Sequence, residues 1–230
     1  MIFYTIFLLI KIFFNTAISR LQLIGKTDEA RLSVKQNWAA SVLNTLGFKI
    51  KIVGFPPVDS DYILVGNHIS FLDIPLLMSA LPQTTFIAKD DLKKWPIIGS
   101  AAAEAGTIFI NRNRSASSEM IQKITDNLNS KNKKIAVFPS GTTTLNEQKP
   151  WKKGIFNIAK KNNTAIQLFH LSYDPHRESA YIDNDNLLKQ LVGLLRLKNK
   201  TATLTWLEQF QDIDQPQEFA EMLRRKVSMA

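Results

Sequence analysis

The stretch ILVGNHISFLDIPLL, Ile63 to Leu77, decides how the rest of the chain is read. Its first half is a short β-branched run, its second half is helix-forming, and Asn67-His68 falls between them. Pro75 is tolerated in the first turn of a helix and not in its interior, so the helix should begin between Ser70 and Asp73. A strand, a polar turn and a helix follow one another within this stretch. In α/β sheets, functional groups gather just beyond strand ends. His68 and Asp73 are five positions apart and would lie on different faces of one continuous helix, so they meet only if the chain turns between them. Two readings fit. In one the pair is a base and its orienting carboxylate. In the other Ser70 and Asp73 form a capping box and the histidine is structural.

Outward from this stretch, the alternation continues. FKIKIVG (48–54), YILVGN (62–67), TTFIAK (84–89), GTIFIN (106–111), KKIAVFP (133–139), AIQLFHLSY (165–173) and TATLTWL (201–207) read as strands. IPLLMSAL (74–81), SASSEMIQKITDNLNS (115–130), GIFNIAKKN (154–162) and NLLKQLVGLLRL (186–197) read as helices, with a closing helix after Pro216. This pattern predicts an α/β domain over residues 48–230, built on a mixed, largely parallel sheet flanked by helices. Residues 1–47 read differently. MIFYTIFLLIKIFF is apolar apart from Thr5 and Lys11 and is shorter than the roughly 20 residues that span a bilayer. It has neither the leading basic charge nor the cleavage site of a signal peptide. A second helix follows, with Leu32, Trp38, Val42, Leu43 and Leu46 on one broad face, Asp28 as N-cap and Gly47 as stop. Residues 1–47 are therefore expected to form a membrane-associated helix pair lying on or partly in a bilayer.

Composition excludes several classes. The 230 residues include no cysteine and only His68, His170 and His176, so neither a disulfide framework nor a metal cage is expected. With 29 Lys and Arg against 20 Asp and Glu, the net charge of +9 favours an anionic partner. A nucleic-acid site would interleave basic residues with exposed aromatics, and no such module is present. An anionic membrane surface fits better.

Five blocks carry a resemblance. NHISFLD, then FIAKDDLKKWPIIG with Lys89, Pro96 and Gly99, GTIFINR with Arg112, FPSGT with Gly141 and Thr142, and WKKGIF with Lys153 and Gly154 occur in order between Ile63 and Ala159. Together they resemble the glycerolipid acyltransferases, the PlsC or LPAAT family. The resemblance implies that His68 is the general base on an acceptor hydroxyl and that Asp73 orients it. The hydroxyl attacks an acyl thioester, so no cysteine or serine nucleophile, metal or cofactor is needed. Acyl-coenzyme A or acyl carrier protein is the co-substrate. Asn67, Lys89, Arg112, Ser140, Gly141, Thr142 and Thr143 are the implied substrate-binding residues, with Lys89 and Arg112 meeting a phosphate. Backbone N–H groups near Gly141, or at the helix start after His68, are candidates for the oxyanion donors.

The chain departs from the family pattern at FPSGTTT, where Ser140 replaces a glutamate and Thr143 an arginine, and at Asn111, where aspartate is common. The acceptor first implied is 1-acyl-sn-glycerol-3-phosphate, giving phosphatidic acid. The lost arginine brings forward a non-glycerophosphate acceptor such as lyso-ornithine lipid. A non-catalytic lipid-binding protein is the alternative from another class. The resemblance places the protein at the cytoplasmic face of an inner membrane, peripheral or monotopic. His170 reads as structural.

Overall fold

The computed structural model describes residues 2–57, 61–110, 118–128, 134–182 and 185–230. Its strands are β1 Phe48–Val53, β2 Tyr62–Gly66, β3 Thr84–Lys89, β4 Ile108–Ile110, β5 Lys134–Val137, β6 Ala165–Asp174 and β7 Lys200–Phe210. They form one sheet in the order β1-β7-β6-β2-β5-β3-β4. From β6 to β4 every pairing is parallel, while β7 runs antiparallel to β6 and takes β1 beside it in parallel. The carboxyl ends of β6, β2, β5, β3 and β4 therefore lie along one edge. This arrangement is the mixed, mostly parallel sheet expected from the alternation.

β2 shows why its sequence reads as an unbroken apolar run. Every one of its residues is buried. Tyr62 and Leu64 face one core cluster and Ile63 and Val65 the other, following the two-residue period of a strand covered on both faces. On the first face lie α1 (Ile2–Leu23), α2 (Asp28–Thr45), α3 (Asp73–Ala80) and α8 (Leu187–Arg196); on the second lie α5 (Ser118–Leu128), α6 (Gly154–Lys161) and α9 (Pro216–Ser228). Two further short helices, α4 (Ile98–Glu104) and α7 (His176–Ser179), and a 3-10 turn at Asp90–Lys94 have no counterpart in the sequence reading.

The N-terminal pair differs from expectation in two respects. α1 continues past the fourteen-residue apolar run, and its segment Phe3–Leu23, with mean hydropathy 1.5, is long and apolar enough to cross a membrane. The pair also shares its core with the sheet, since Ile12, Ala39, Val42, Leu43 and Leu46 join one cluster with Phe48, Leu64 and Leu204. α2 is capped by Thr27, whose side chain accepts the Ala30 N–H at 3.4 Å, and Asp28 is the first helical residue. Asp28 there opposes the helix dipole without being the cap.

α1 is apolar on its outer face as well as on the inner one that holds Ile12 and Leu23. Phe3, Phe7, Ile10, Phe14 and Leu21 form an exposed stripe, Phe3 at 88% accessibility, whereas Thr5, Thr16 and Ser19 are buried. Thr16 donates to the Ile12 carbonyl and accepts the Trp38 indole N–H at 3.0 Å, which satisfies the hydroxyl inside the protein.

Candidate active site

β2 ends at Gly66, and the glycine is required by its neighbour: a Cβ there would lie 2.4 Å from the Phe169 ring. The strand then passes to Asn67, whose amide continues the pairing with β6. Its Nδ2 donates to the Leu171 carbonyl at 2.8 Å and its Oδ1 accepts the Leu171 N–H at 2.7 Å. Both polar ends of Asn67 are thus engaged, and the side chain is buried. These two bonds clamp the chain to β6 and fix where the next residue, His68, leaves the sheet.

The chain turns between His68 and Asp73, and the two side chains meet. Nδ1 of His68 lies 2.6 Å from Asp73 Oδ2. The same oxygen accepts the backbone N–H groups of Ile69, at 2.7 Å, and Ser70, at 3.1 Å. Oδ1 accepts the Tyr173 hydroxyl at 2.6 Å. Asp73 is fully buried, and it accepts from Ile69, Ser70 and Tyr173, as suits an ionised carboxylate. The tautomer with the proton on Nδ1 matches this acceptor and leaves Nε2 directed away from Asp73. Burial, together with the charge and hydrogen bond of Asp73, holds the Tyr173 phenol well above its ordinary range, so it remains a donor. Only half of the expected capping box forms, since Asp73 accepts the Ser70 N–H while the Ser70 hydroxyl makes no return bond and Leu72 is the N-cap; the same carboxylate meets the imidazole.

The ring is fixed on its face as well. Phe138, the first residue after β5, stacks on His68 with centroids 4.1 Å apart and planes 10° from parallel. Phe138 rests edge-on against Phe169, the ring that fills the space above Gly66. Beyond Phe138 the chain turns tightly: the Gly141 N–H donates to the Phe138 carbonyl at 3.0 Å, with Gly141 at φ +74. Ser140 is buried and its hydroxyl donates to the Thr142 carbonyl at 2.9 Å, whereas Thr142 is exposed and Thr143 half-buried. Of the N–H groups in these two stretches, that of Gly141 closes this turn, and those of Ile69 and Ser70 serve Asp73.

Lys89 is the last residue of β3, exposed, at the same sheet edge as His68. β5 lies between β2 and β3, so the two strands are about 10 Å apart. Arg112 and Asn111 lie outside the described residues. Glu147, not singled out in the sequence, sits beside the histidine. Its Oε1 accepts the His68 N–H at 3.3 Å and its Oε2 the Trp151 indole N–H at 2.6 Å. Burial pushes the Glu147 carboxyl up, and the bonds from Trp151 and His68 pull it back. Nothing in LNEQK distinguishes this glutamate from a solvated one; only its spacing of four from Trp151 hints at a contact. Tyr173, near the end of a long strand, gives no sequence signal at all.

An imidazole with one nitrogen tied to a buried carboxylate can take a proton from a bound hydroxyl through the other. Set at the carboxyl edge of a largely parallel sheet, this is equipment for transferring a group onto an alcohol. The profile of the family described as Acyltransferase matches residues 49–169, and the chain belongs to that family. It is an acyltransferase enzyme of the PlsC/LPAAT-like type. A lyso-ornithine lipid O-acyltransferase of Pseudomonas aeruginosa is 31% identical over 200 residues, covering 84% of this chain and 76% of that protein. A 1-acyl-sn-glycerol-3-phosphate acyltransferase of Neisseria meningitidis is 30% identical over 151 residues, 65% of this chain and 59% of that protein. The crystal structure of the 1-acyl-sn-glycerophosphate acyltransferase PlsC from Thermotoga maritima shares the fold, with TM-score 0.72 over 99% of this chain and 91% of that chain, at 20% identity.

Proposed function

We propose that the protein acylates the free hydroxyl of a lysolipid at a membrane surface, and that the acceptor is of the lyso-ornithine type, with no glycerol phosphate. The 2.6 Å contact between His68 and Asp73 carries the reading of the chemistry. His68 Nε2 takes the proton of the acceptor hydroxyl as its oxygen attacks the thioester carbonyl. Asp73 stabilises the imidazolium that forms. The tetrahedral oxyanion collapses, the carbon–sulfur bond breaks, and the departing thiolate takes the proton back from Nε2. The products are the acylated lipid and the free thiol of coenzyme A or acyl carrier protein.

The head-group reading is supported by the turn after β5, where Thr142 and Thr143 bring hydroxyls and no cation. The breadth of the alignment with the Pseudomonas aeruginosa protein points the same way. Lys89 supplies one positive charge at this edge, enough for the carboxylate of a zwitterionic head; for Arg112 a like role is implied by the family resemblance alone. Ser140 and Gly141 shape the turn that presents the two threonines. The apolar length of α1 and the net charge of +9 support a site of action at an anionic membrane surface, which we take to be the cytoplasmic face.

The test is mass-spectrometric product detection with purified protein, acyl-coenzyme A or acyl carrier protein, and lyso-ornithine lipid or lysophosphatidic acid as acceptor. Turnover on lyso-ornithine lipid, lost in His68→Ala, is the expected result. Turnover confined to lysophosphatidic acid would overturn the head-group assignment. Silence on both, with lipid binding intact, would overturn catalysis itself.

A further inference from the structure

The base has a second carboxylate beside it, one that orients neither ring nitrogen. Glu147 is 7% exposed, and both its oxygens act only as acceptors, from the His68 N–H, the Trp151 indole and the Thr144 hydroxyl at 3.5 Å. The ionised form suits the two N–H donors, and the Thr144 hydroxyl can donate to it as well. Three residues back in the same loop, the Thr144 N–H donates to the His68 carbonyl at 2.8 Å. The peptide of His68 is therefore gripped at its N–H by Glu147 and at its carbonyl by Thr144. The loop is itself anchored from α9: Arg224, paired in two bonds with Glu221, donates to the Glu147 carbonyl, and the Ser228 hydroxyl reaches the same oxygen at 3.5 Å.

Accepting that His68 is the acyl-transfer base, we propose that Glu147 is a positioning residue that holds the His68 peptide in register and sets the pH range of the base by placing a second buried negative charge beside the imidazole. The charged and titratable groups around the ring are few. Asp73 faces it from α3, and Tyr173 of β6 stands behind Asp73. Arg224 of α9 stands behind Glu147, and His176 of α7 contacts the loop through the Leu145 carbonyl at 3.1 Å. Among these described groups, Asp73 and Glu147 are the two that bond to His68 itself. A buried negative charge favours the protonated ring and steadies the imidazolium formed during transfer. Removing it should lower the rate and also widen the range of pH in which the ring is free to act as base.

The experiment is the pH dependence of kcat/KM for the full-length enzyme in detergent micelles, with Glu147→Gln and Glu147→Asp beside the parent and thermal unfolding recorded for each. In Glu147→Gln the acid limb should move to lower pH by about 0.5–1 unit. Its plateau should fall roughly tenfold, with KM nearly unchanged. Glu147→Asp keeps the charge while losing reach, so its limb should stay with the parent's while its plateau falls several-fold. A Gln variant that loses rate with the limb in place overturns the inference, because a purely structural prop scales the whole profile. Should the Gln variant fail to fold, the Asp variant decides: a displaced limb despite the retained charge also overturns it. A parent profile with no acid limb, or one that persists in His68→Ala, would instead sink the acyl-transfer reading on which the inference rests.

Discussion

The outer face of α1 and the turn from His68 to Asp73 are built on opposite rules. On α1 large apolar side chains point outward and hydroxyls point in, and any of several residues could be exchanged for another of like hydropathy. At the turn, single atoms are assigned: one oxygen of Asp73 serves a ring nitrogen and two backbone amides. The first region works by area and composition, since partition into lipid grows with apolar surface. The second works by geometry, and a displacement of an ångström matters. Attachment should therefore decline by degrees under mutation, and chemistry should fail at once.

The sharpest test of that contrast is His68→Ala. Loss of the proposed base should lower turnover about 10³-fold, within the range general-base catalysis supplies, while co-sedimentation with anionic vesicles stays at the parent level. A variant that lost both would merge the two regions into one. Next in size is Asp73. Asp73→Asn keeps an oxygen for the amides and the ring, and Tyr173 can turn its hydroxyl to accept from the new amide, so this variant should fold while losing about 10²-fold or more in rate. Asp73→Ala strands two buried N–H groups and a buried hydroxyl and should cost about 3–5 kcal/mol in chemical denaturation. On α1, Phe7→Asp with Phe14→Asp should weaken vesicle partition at least tenfold or so, each exposed ring being worth about 1.5–3 kcal/mol when immersed, with turnover in micelles within about threefold of the parent.

The smallest effect separates the regions by pH. α1 contains no histidine and no acidic residue. The sheet side holds His170, which burial, and then the charge of His176, keeps below its ordinary 6.5. On acidification the unfolded chain takes up that proton first. Stability from His170 is thus present above pH 6.5 and is lost as pH falls through the lower folded value. The unfolding midpoint of the parent should drop faster below pH 6.5 than that of His170→Gln; parallel curves would remove His170 from the account. Attachment through α1 should not change over the same interval.

Much of this was legible in the chain. The strands announce themselves because a parallel sheet buried on both faces leaves runs such as YILVG, and the turn between β2 and α3 follows from Pro75. His68 and Asp73 could be singled out because a polar pair inside an apolar run needs a reason. What stayed hidden had physical causes. α4, with its small residues IGSAAAE, carries too little apolar periodicity to read as a helix. α1 looked short because Asn15, Thr16 and Ser19 interrupt its hydropathy, whereas Thr16 and Ser19 face inward. The clamp made by Asn67 could not be read locally, since its amide bonds to a strand a hundred residues away. Glu147 reaches His68, and Tyr173 reaches Asp73, only through tertiary structure, which spacing along the chain does not encode.

The oxygen of Asp73 that meets His68 also closes the turn into α3, and this has a consequence for genetics. A selection for abundant but idle protein would return many replacements of His68, whose side chain hangs at the edge of the fold. At Asp73 it would return little besides asparagine, because other side chains would deplete the protein before they silenced it. Read without a protein blot, the two positions would look equally essential; read with one, they would separate into a lesion of activity and a lesion of supply.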